Sequence, residues 1–433
     1  MAGLNETPSG ERVQIALFGR RNAGKSSLLN ALAGQDLAIV SETRGTTTDP
    51  VKKSMELLPL GPVTLIDTPG LDDEGALGAL RVKKAREVLR KTDLALMVRD
   101  AAEPENEDDR AILREIRARG IPYLYVLNKA DLLDDSDSEE TGEGRKETAE
   151  TPAGNRPEAH ENTEGKTKED EGQLRGGADG KRFFVSCLTK QGIHELKDTM
   201  AGMLAAKDDR PLIRDLLSPG DVVVLVVPID KAAPKGRLIL PQQQTIRDIL
   251  EAGAQALVTR DTELAGTLNA LKQPPRMVVT DSQVFGKVDK IVPADVPLTS
   301  FSILMARYKG DLFGAVRGAR AVKELKDGDP VLIAEGCTHH RQCGDIGTEK
   351  LPAWIRRFAG CEPAFSWVSG GEFPEDLGSY KLVVHCGGCM LNAREMQWRL
   401  GACRAAGVPA TNYGTLIAYI HGILDRSVAI FEK

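Results

Sequence analysis

The segment Gly19–Ser26, with the sequence Gly-Arg-Arg-Asn-Ala-Gly-Lys-Ser, limits most narrowly how this chain can fold. Two glycines separated by four residues and followed by Lys-Ser form a loop whose backbone N–H groups wrap phosphates. Such a loop needs a strand before it and a helix after it. The apolar run Val13–Gly19 and the helical spacing of Ser26–Leu32 supply both. We therefore predict a nucleotide-binding sheet at the start of the chain.

Five residues are expected to surround the phosphates and Mg²⁺. Lys25 neutralises the β- and γ-phosphates, and the Ser26 hydroxyl ligates the metal ion. Asp67, in Asp-Thr-Pro-Gly, is expected to hold Mg²⁺ through water, while the Gly70 amide meets the γ-phosphate. Thr47, in Gly-Thr-Thr-Thr-Asp, is our candidate for the switch ligand of Mg²⁺, with a flexible loop as the alternative. The expected catalytic groups are Lys25, Thr47 and Gly70.

Two further motifs predict that the base is guanine. In Asn128-Lys-Ala-Asp131, the Asp131 carboxylate accepts from N–H groups that adenine does not offer in the same pattern. Ser186-Cys187 follows the next apolar run and would complete the base pocket. The residues expected to contact GTP or GDP are Asn22, Ala23, Gly24, Lys25, Ser26, Ser27, Asp67, Asn128, Lys129, Asp131, Ser186 and Cys187.

Apolar runs alternate with segments of helical spacing through the N-terminal half of the chain. The runs are Val13–Gly19, Val63–Ile66, Leu94–Val98, Tyr123–Leu127 and Phe183–Val185. This alternation predicts a doubly wound parallel sheet. Shorter alternations follow it, so we predict an α/β chain: a P-loop GTPase doubly wound sheet followed by two smaller α/β domains.

The length of 433 residues predicts about two to four domains. We place a GTP-binding domain at 1–208, a small α/β domain at 209–295 and a metal-binding domain at 296–433. The middle segment carries no obvious catalytic cluster. We therefore expect it to serve oligomerisation or spacing.

Residues 134–180 interrupt the first domain. They contain 15 acidic and 6 basic residues, and Leu174 is their only large apolar residue. Such a segment cannot bury enough surface to offset chain entropy, so we predict a disordered acidic insertion, with an acidic docking segment as the alternative. The insertion carries a net charge of −9 while the whole chain carries −6, which leaves the remainder at +3. The overall charge therefore decides nothing about nucleic acid, and we do not expect such a partner.

The chain shows no targeting or membrane signal. No N-terminal stretch combines basic residues, an apolar run and a small-residue cleavage site, and no run reaches about 18 uninterrupted apolar residues. We therefore expect a soluble cytoplasmic protein without membrane contact. In that compartment, an odd and clustered set of seven cysteines favours metal ligation over disulfides.

Three of these cysteines and two histidines form the candidate metal set. Cys386-x-x-Cys389 has a spacing that serves zinc, iron–sulfur clusters and redox exchange alike. Cys337 is a third candidate ligand, and a thioredoxin-like motif would not need it. His339 or His385 could provide a fourth ligand, or could lie behind the ligands. The residue types alone leave zinc and iron both open.

The positions of these cysteines predict that they come together. Cys337 follows the apolar run Pro330–Ala334, and the other pair follows Lys381–Val384. Ligands collect beyond the carboxyl ends of parallel strands, so adjacent strands would bring the two loops together. Other cysteines and histidines lack paired spacing and are expected to be structural or solvated; they are Cys343, Cys361, Cys403, His194, His340 and His421.

The nucleotide motifs resemble those of the potassium-dependent GTPases of the Era/TrmE group. In that group the P-loop asparagine, here Asn22, helps to hold a K⁺ ion that substitutes for an arginine finger. The residue after Gly70 is Leu71, so the glutamine that orients water in Ras-like enzymes is absent. The resemblance therefore implies a slow GTP hydrolase that is stimulated by K⁺.

Over its whole length the chain resembles the HydF family of FeFe-hydrogenase maturation GTPases. The Cys-x-His and His-Cys-x-x-Cys motifs carry this resemblance, together with the segments Ala306–Leu312 and Val408–Gly414. It implies a 4Fe-4S cluster bound by Cys337, Cys386 and Cys389, with a fourth position that is weakly or variably ligated. An open iron site suits a scaffold, since a diiron precursor must attach and leave.

The same resemblance implies partners and a role. The middle domain would mediate homodimerisation, and the chain would meet two radical-SAM maturases and apo FeFe-hydrogenase. It would bind the cluster and assemble or deliver the diiron subcluster of the hydrogenase, while GTP hydrolysis regulates these encounters.

Two other functions remain as alternatives. One is a tRNA-modification or ribosome-associated GTPase with a zinc module, and the other is an iron–sulfur redox sensor or electron carrier with a GTPase switch. Four features are left undecided by the sequence: the fourth cluster ligand, the attachment of the diiron precursor, the step that GTP controls, and the role of the acidic insertion.

Overall fold

The chain is described from a computed structural model. The described residues are 7, 9–34, 50–58, 60–69, 84–133, 180–205, 210–229, 238–336 and 345–432. The predicted insertion at 134–180 therefore lies, apart from Gly180, outside the described residues. Among the described residues, no helix combines the length and the apolar character needed to cross a bilayer.

The first sheet has six strands in the order β2-β3-β1-β4-β5-β6. Its strands are β1 (Val13–Phe18), β2 (Val51–Leu57), β3 (Gly61–Asp67), β4 (Leu94–Asp100), β5 (Tyr123–Asn128) and β6 (Arg182–Phe184). All neighbours are parallel except β2 and β3. Because β3 and β4 lie on opposite sides of β1, the strand order reverses at β1. Ligands bind at such a switch point, beyond the carboxyl ends of the strands.

Helices cover both faces of this sheet, and apolar residues pack into a core on each side. The helices are α1 (Lys25–Ala33), α2 (described over 84–89), α3 (Glu107–Ala118) and α4 (Ile193–Ala205). Asn106 begins α3 with a capping box, in which its side chain accepts from the Asp109 amide and the Asp109 carboxylate accepts from the Asn106 amide. This cap fixes the start of α3 beside the end of β4.

The second sheet has four parallel strands in the order β10-β9-β7-β8. Its strands are β7 (Val222–Val226), β8 (Gln255–Thr259), β9 (Met277–Thr280) and β10 (Leu298–Ser300), and its helices are α5 (Leu240–Glu251), α6 (Leu264–Ala270) and α7 (Phe285–Asp289). Strand β10 lies beyond the predicted domain boundary at residues 295 and 296, yet it pairs with β9. A three-residue Leu-Thr-Ser strand gives too weak a pattern to be recognised in sequence, and Ser300 also caps the next helix.

The third sheet has four parallel strands in the order β12-β11-β13-β14. Its strands are β11 (Pro330–Glu335), β12 (Ala364–Ser369), β13 (Leu382–His385) and β14 (Ala410–Asn412). The remaining helices are α8 (Phe301–Lys309), α9 (Leu312–Arg320), α10 (Leu351–Ala359), α11 (Ala393–Ala405), α12 (Tyr413–Ile420) and α13 (Leu424–Val428). The predicted α/β class, with a P-loop sheet followed by two smaller α/β units, is confirmed.

The third sheet also contains a switch point, between β11 and β13. These strands pair with each other, while β12 lies on the outer side of β11. The two strands that precede the candidate cysteines are therefore neighbours, which is the condition under which their loops would come together. Cys386 and Cys389 follow β13 directly, at the carboxyl edge where the chain after β11 also leaves the sheet.

Candidate functional site

The P-loop is held in place by the ends of two neighbouring strands. Gly19 has φ 147° and Gly24 has φ 87°, and both values favour glycine. A Cβ added at Gly19 would overlap the Val98 carbonyl of β4, and one at Gly24 would overlap the Asn128 side chain at the end of β5. Asn22 adopts the left-handed region with φ 64° without being a glycine. The loop backbone is therefore fixed by close approach as well as by the glycines.

The start of α1 meets the end of β3 at the expected magnesium position. Lys25 is 7% exposed, and its Nζ donates to the Gly19 and Arg20 carbonyls at 2.8 and 2.6 Å. The Ser26 hydroxyl donates to Asp67 Oδ2 at 2.5 Å. Burial raises the pKa of the Asp67 carboxyl, while the Ser26 hydrogen bond and the Lys25 charge lower it.

The other Asp67 oxygen provides a test of whether this site fits a cation. Oδ1 is buried and has no hydrogen-bond partner among the described residues. A buried carboxylate oxygen beside a serine hydroxyl is the hard-oxygen donor set that Mg²⁺ prefers. These residues therefore fit Mg²⁺. The other predicted groups around the phosphates, Thr47 and Gly70, lie outside the described residues.

Asn128 connects the P-loop with the two motifs of the predicted guanine site. It is 2% exposed, and its Nδ2 donates to the Ala23 carbonyl of the P-loop at 3.2 Å. The Cys187 thiol donates to Asn128 Oδ1 at 3.2 Å, and burial raises the pKa of that thiol. Ser186 is fully buried, and its hydroxyl accepts from the Thr189 amide. One amide side chain thus connects the P-loop, the Asn-Lys-Ala-Asp motif and the Ser-Cys motif.

These groups surround one cavity of about 1500 Å³. The predicted nucleotide residues that line it are Asn22, Gly24, Lys25, Ser26, Ser27, Asp67, Asn128, Lys129, Asp131 and Cys187. Asp131 is exposed at this cavity, whereas the Lys129 ammonium pairs with Asp100 at 2.7 Å. The structure therefore brings these ten predicted residues into one space, while Ala23 and Ser186 do not line it.

Asp131→Asn is expected to lower the preference for GTP over xanthosine triphosphate by about a hundredfold or more, because two hydrogen bonds to a charged acceptor are altered. Competition between the two nucleotides for the purified chain measures this preference. Asp198→Asn is the matched control, because Asp198 also lines the cavity but belongs to none of the base-reading motifs. An unchanged preference in Asp131→Asn would argue against its base-reading role.

Cys386 is held at the switch point of the third sheet by backbone groups. Its amide donates to the Ala334 carbonyl at 2.9 Å. Its Sγ accepts from the Gly336 amide at 3.0 Å and from the Gly388 amide at 3.4 Å. Hydrogen bonds of this kind to sulfur stabilise thiolate ligands and tune the clusters that they hold. Gly336 also directly precedes Cys337, which itself lies outside the described residues.

Two glycines shape the loop around this sulfur. A Cβ at Gly336 would lie 2.9 Å from Leu391 Cγ, and one at Gly388, which has φ 63°, would lie 2.8 Å from Met396 Sδ. Cys389 is partly buried. Burial is the main cause that raises the pKa of its thiol, and the neighbouring Cys386 raises that pKa further. Two soft sulfur donors in a confined loop fit a soft metal or an iron–sulfur cluster.

The described part of the chain does not by itself complete a metal site. No group of three or more His, Cys, Asp or Glu side chains suited to a metal ion occurs there. Two of the predicted ligands, Cys337 and His339, are outside the described residues. The full ligand set therefore stays a prediction.

His385 has both ring nitrogens engaged. It is 2% exposed, Nδ1 lies 3.0 Å from the Cys386 carbonyl, and Nε2 lies 3.1 Å from Arg399 Nη1. Since a guanidinium only donates, Nε2 must accept and Nδ1–H must donate. Arg399 is 1% exposed and also contacts Glu395 at 2.9 Å and the Gly370 carbonyl at 2.7 Å. No motif or spacing in the sequence indicated this arginine.

The other candidate cysteines and histidines that the structure describes make their contacts outside this loop. The Cys361 thiol donates to the Leu325 carbonyl at 3.4 Å, and Cys403 is 1% exposed, with burial raising its pKa to about 11. His194 pairs with Asp198 at the surface, and His421 contacts the Trp354 ring edge-on. Cys343 and His340 are outside the described residues.

Models of known families match three parts of this chain. Residues 14–129 match the 50S ribosome-binding GTPase domain. Residues 212–310 match the hydrogen maturase F dimerization domain, and residues 313–430 match the hydrogen maturase F tetramerization domain. The last two matches belong to one family and together span about half of the chain.

Similarity to individual proteins is confined to shorter regions. The tRNA modification GTPase MnmE of Bordetella parapertussis is 40% identical over 125 residues, which are 29% of this chain and 27% of that protein. GTPase Der of Sulfurimonas denitrificans is 37% identical over 123 residues, 28% of this chain and 25% of that protein. This chain thus spans about a quarter of the length of these curated relatives. The solved structure of Era from Aquifex aeolicus is 19% identical to this chain and superposes with a TM-score of 0.31. The match covers 57% of this chain and 92% of the Era chain.

Proposed function

We propose, from the premise that this chain belongs to the hydrogen maturase F family, that it is a GTPase scaffold of hydrogenase maturation. It binds a 4Fe-4S cluster and assembles or delivers the diiron subcluster to apo FeFe-hydrogenase. The observation that carries this proposal is the loop of residues 386–391, called the cysteine loop below, at the switch point of the third sheet. The first sheet of the same chain carries a nucleotide cavity. A nucleotide switch and a sulfur-lined loop together are what a regulated cluster carrier needs.

The nucleotide site is proposed to bind GTP and Mg²⁺ and to hydrolyse GTP. Ser26 and Asp67 would hold Mg²⁺, with Thr47 from the first switch, and the buried Asp67 oxygen supports this assignment. Mg²⁺ would neutralise charge that develops between the β- and γ-phosphates. Lys25 would add its charge at the same oxygens, and the Gly70 amide would position the γ-phosphate.

GTP hydrolysis is expected to be slow in Na⁺ and several-fold faster in K⁺. Leu71 follows Gly70, so a glutamine cannot orient water there, and a K⁺ ion near Asn22 would supply the missing positive charge. Steady-state rates at equal ionic strength in KCl and NaCl measure this stimulation. Asn22→Ala should remove the stimulation, and equal rates of the unaltered chain in the two salts would contradict the assignment.

The cluster is proposed to be bound by Cys337, Cys386 and Cys389. The fit of the last two is supported by the amide hydrogen bonds to Cys386 and by the partly buried position of Cys389. Because both nitrogens of His385 are engaged, we favour His339 over His385 as the side chain nearest to the fourth position. When bound, the cluster would supply an iron with an exchangeable position to which a diiron precursor attaches.

Assembly and partners form part of the same proposal. We propose a homodimer through the middle domain, a cytoplasmic location, and encounters with two radical-SAM maturases and apo FeFe-hydrogenase. The matched dimerization and tetramerization domains support self-association. We also propose three domains at 1–208, 209–295 and 296–433. Strand β10, at the start of the third range, is the edge strand of the second sheet.

Anaerobic reconstitution with iron and sulfide tests the metal part of this proposal. The expected product binds iron and sulfide in equal amounts and gives the EPR signal of a reduced 4Fe-4S cluster. Zinc bound in place of iron would favour a tRNA-modification or ribosome-associated GTPase with a zinc module. A cluster that is fully ligated and does not exchange its fourth position would favour a redox sensor.

A further inference from the structure

Helix α8 ends in a segment that has no role in the function proposed above. This segment comprises residues 306–312. Two of its side chains, Arg307 and Lys309, are cations on the last turn of α8. Arg307 donates to the Leu212 carbonyl at 2.9 Å and pairs with Asp215 at 2.5 Å. It therefore fastens α8 to the segment that leads from the first sheet into the second. Lys309 points to a different part of the chain.

The Lys309 ammonium is almost fully buried, at 2% exposure. A buried cation is costly unless it is paired and hydrogen-bonded. Its Nζ lies 2.9 Å from Glu11 Oε1 and 3.0 Å from the Leu391 carbonyl. The carbonyls of Cys389 and Gly10 follow at 3.4 and 3.5 Å. One ammonium thus faces one carboxylate and three carbonyls, with three N–H groups to share among them.

These acceptors come from two segments that are far apart in sequence. One is the single 3-10 turn Ser9–Glu11, directly before β1. The other is the backbone from Cys389 to Leu391, in which the Met390 carbonyl accepts from the Ser9 hydroxyl at 3.3 Å. A Cβ at Gly10 would overlap the Cys389 carbonyl. The turn and the cysteine loop are therefore packed in direct backbone contact, with Lys309 between them.

A second set of contacts attaches the same loop to the first sheet. Asn392 caps α11, and its Nδ2 donates to the Lys91 carbonyl at 2.7 Å and lies 3.3 Å from Asp93 Oδ2. That Asp93 oxygen also accepts from the Gln14 amide of β1 at 2.9 Å. Arg394 pairs with Asp93 at 3.4 Å. The loop after Cys389 is thus attached to the beginnings of β1 and β4, at the edge of the sheet opposite to the nucleotide cavity.

The geometry points to Lys309 as a positioning residue for the cysteine loop. By drawing the Cys389 and Leu391 carbonyls inward, it sets the direction in which Cys389 presents its sulfur, and it makes that direction depend on the docked turn Ser9–Glu11. This inference rests on the proposed function, in which the loop binds a cluster. Lys309 does not touch the cluster; it acts through the backbone that carries one ligand.

Lys309→Met tests this role because methionine keeps the length of the side chain and removes the charge. We expect the reconstituted variant to lose iron to a ferrous chelator about tenfold faster than the unaltered chain, because charged hydrogen bonds to the loop are lost. The EPR spectrum of its reduced cluster should also change. GTP turnover should stay within about twofold, since the nucleotide cavity lies at the other end of β1.

Two further variants make the test decisive. Lys381→Met removes an exposed lysine that lies directly before β13, and it should behave as the unaltered chain. Glu11→Ala removes the counter-charge from a side chain that is 20% exposed, and it should accelerate iron loss in the same direction by a smaller factor. It also removes an acceptor of Gln244, so its thermal unfolding is measured alongside.

The outcomes separate this inference from the proposed function. If the unaltered chain takes up no cluster, the proposed function fails. If it does, and Lys309→Met releases iron at the same rate with the same spectrum, only the positioning role fails. If Lys309→Met and Glu11→Ala lose the cluster and GTP turnover together, the Lys309–Glu11 pair stabilises the fold as a whole. That result also overturns the positioning role.

Discussion

Cys386→Ala is expected to reduce bound iron and sulfide by more than about tenfold while leaving GTP turnover within about twofold. The Cys386 sulfur is the proposed ligand with the most complete surroundings, since two backbone amides point at it. Its removal takes away one of the three proposed thiolate ligands, and no other described cysteine lies in this loop except Cys389. The nucleotide cavity is lined by other residues, so hydrolysis should persist.

Two comparisons make this expectation specific. Cys386→Ser keeps an acceptor for the Gly336 amide, so it separates loss of a ligand from loss of the local hydrogen bonds. Cys361→Ala is the matched control, because that thiol is partly buried, hydrogen-bonds to the Leu325 carbonyl and belongs to none of the proposed ligands. Iron and sulfide analysis with EPR after reconstitution provides the readout. An intact cluster in Cys386→Ala would remove this residue from the ligand set.

Lys25→Ala is expected to lower kcat/KM for GTP by roughly two to three orders of magnitude while iron binding is retained. The Lys25 ammonium lies inside the P-loop between the Gly19 and Arg20 carbonyls, where β- and γ-phosphate oxygens would meet it. Its charge would be felt most strongly as negative charge develops on these oxygens. The loss should therefore appear in turnover and not only in binding.

Lys181→Ala is a suitable control for this variant. Lys181 is exposed, pairs with Glu195 at 3.0 Å and does not line the nucleotide cavity. Phosphate release at saturating and limiting GTP separates kcat from KM, and iron analysis is made on the same samples. Near-normal hydrolysis by Lys25→Ala would refute its proposed role, and loss of the cluster would show that the two sites are not independent.

Much of the strand pattern could be predicted from sequence because the central strands are buried on both faces. The runs around Val63, Leu94 and Tyr123 are continuous and apolar, as parallel strands covered by helices require. Edge strands were harder to recognise. Strand β2 has the sequence Val-Lys-Lys-Ser-Met-Glu-Leu, which is largely exposed, and β12 leaves Trp367 at 39% exposure. Strand β14, with three residues, is too short for any periodicity.

The nucleotide residues could be predicted because each motif is short, local and fixed to the end of a strand. The placement of Cys386 and Cys389 after a buried strand could be predicted for the same reason. What sequence could not provide was contact between distant segments. The pairing of Lys309 with Glu11 joins residues that are 298 positions apart, and the contact of Arg399 with His385 has no characteristic spacing. Such contacts depend on how whole elements pack.

The arrangement also explains why the two sites can be tested separately. The P-loop lies after β1, whereas the turn that packs on the cysteine loop lies before it. Six residues of extended strand separate the two by about 20 Å. Variants at either end should therefore alter one site with little direct effect on the other, unless the docked turn moves.

Hydrogen evolution by apo FeFe-hydrogenase tests the central claim most directly. The chain is isolated anaerobically from cells that also produce the two proposed radical-SAM maturases, and it is then mixed with apo-hydrogenase and a reductant. We predict hydrogen evolution with the unaltered chain and none with Cys386→Ala. No hydrogen from a chain that demonstrably carries its cluster, or equal hydrogen from Cys386→Ala, would contradict the proposed role in hydrogenase maturation.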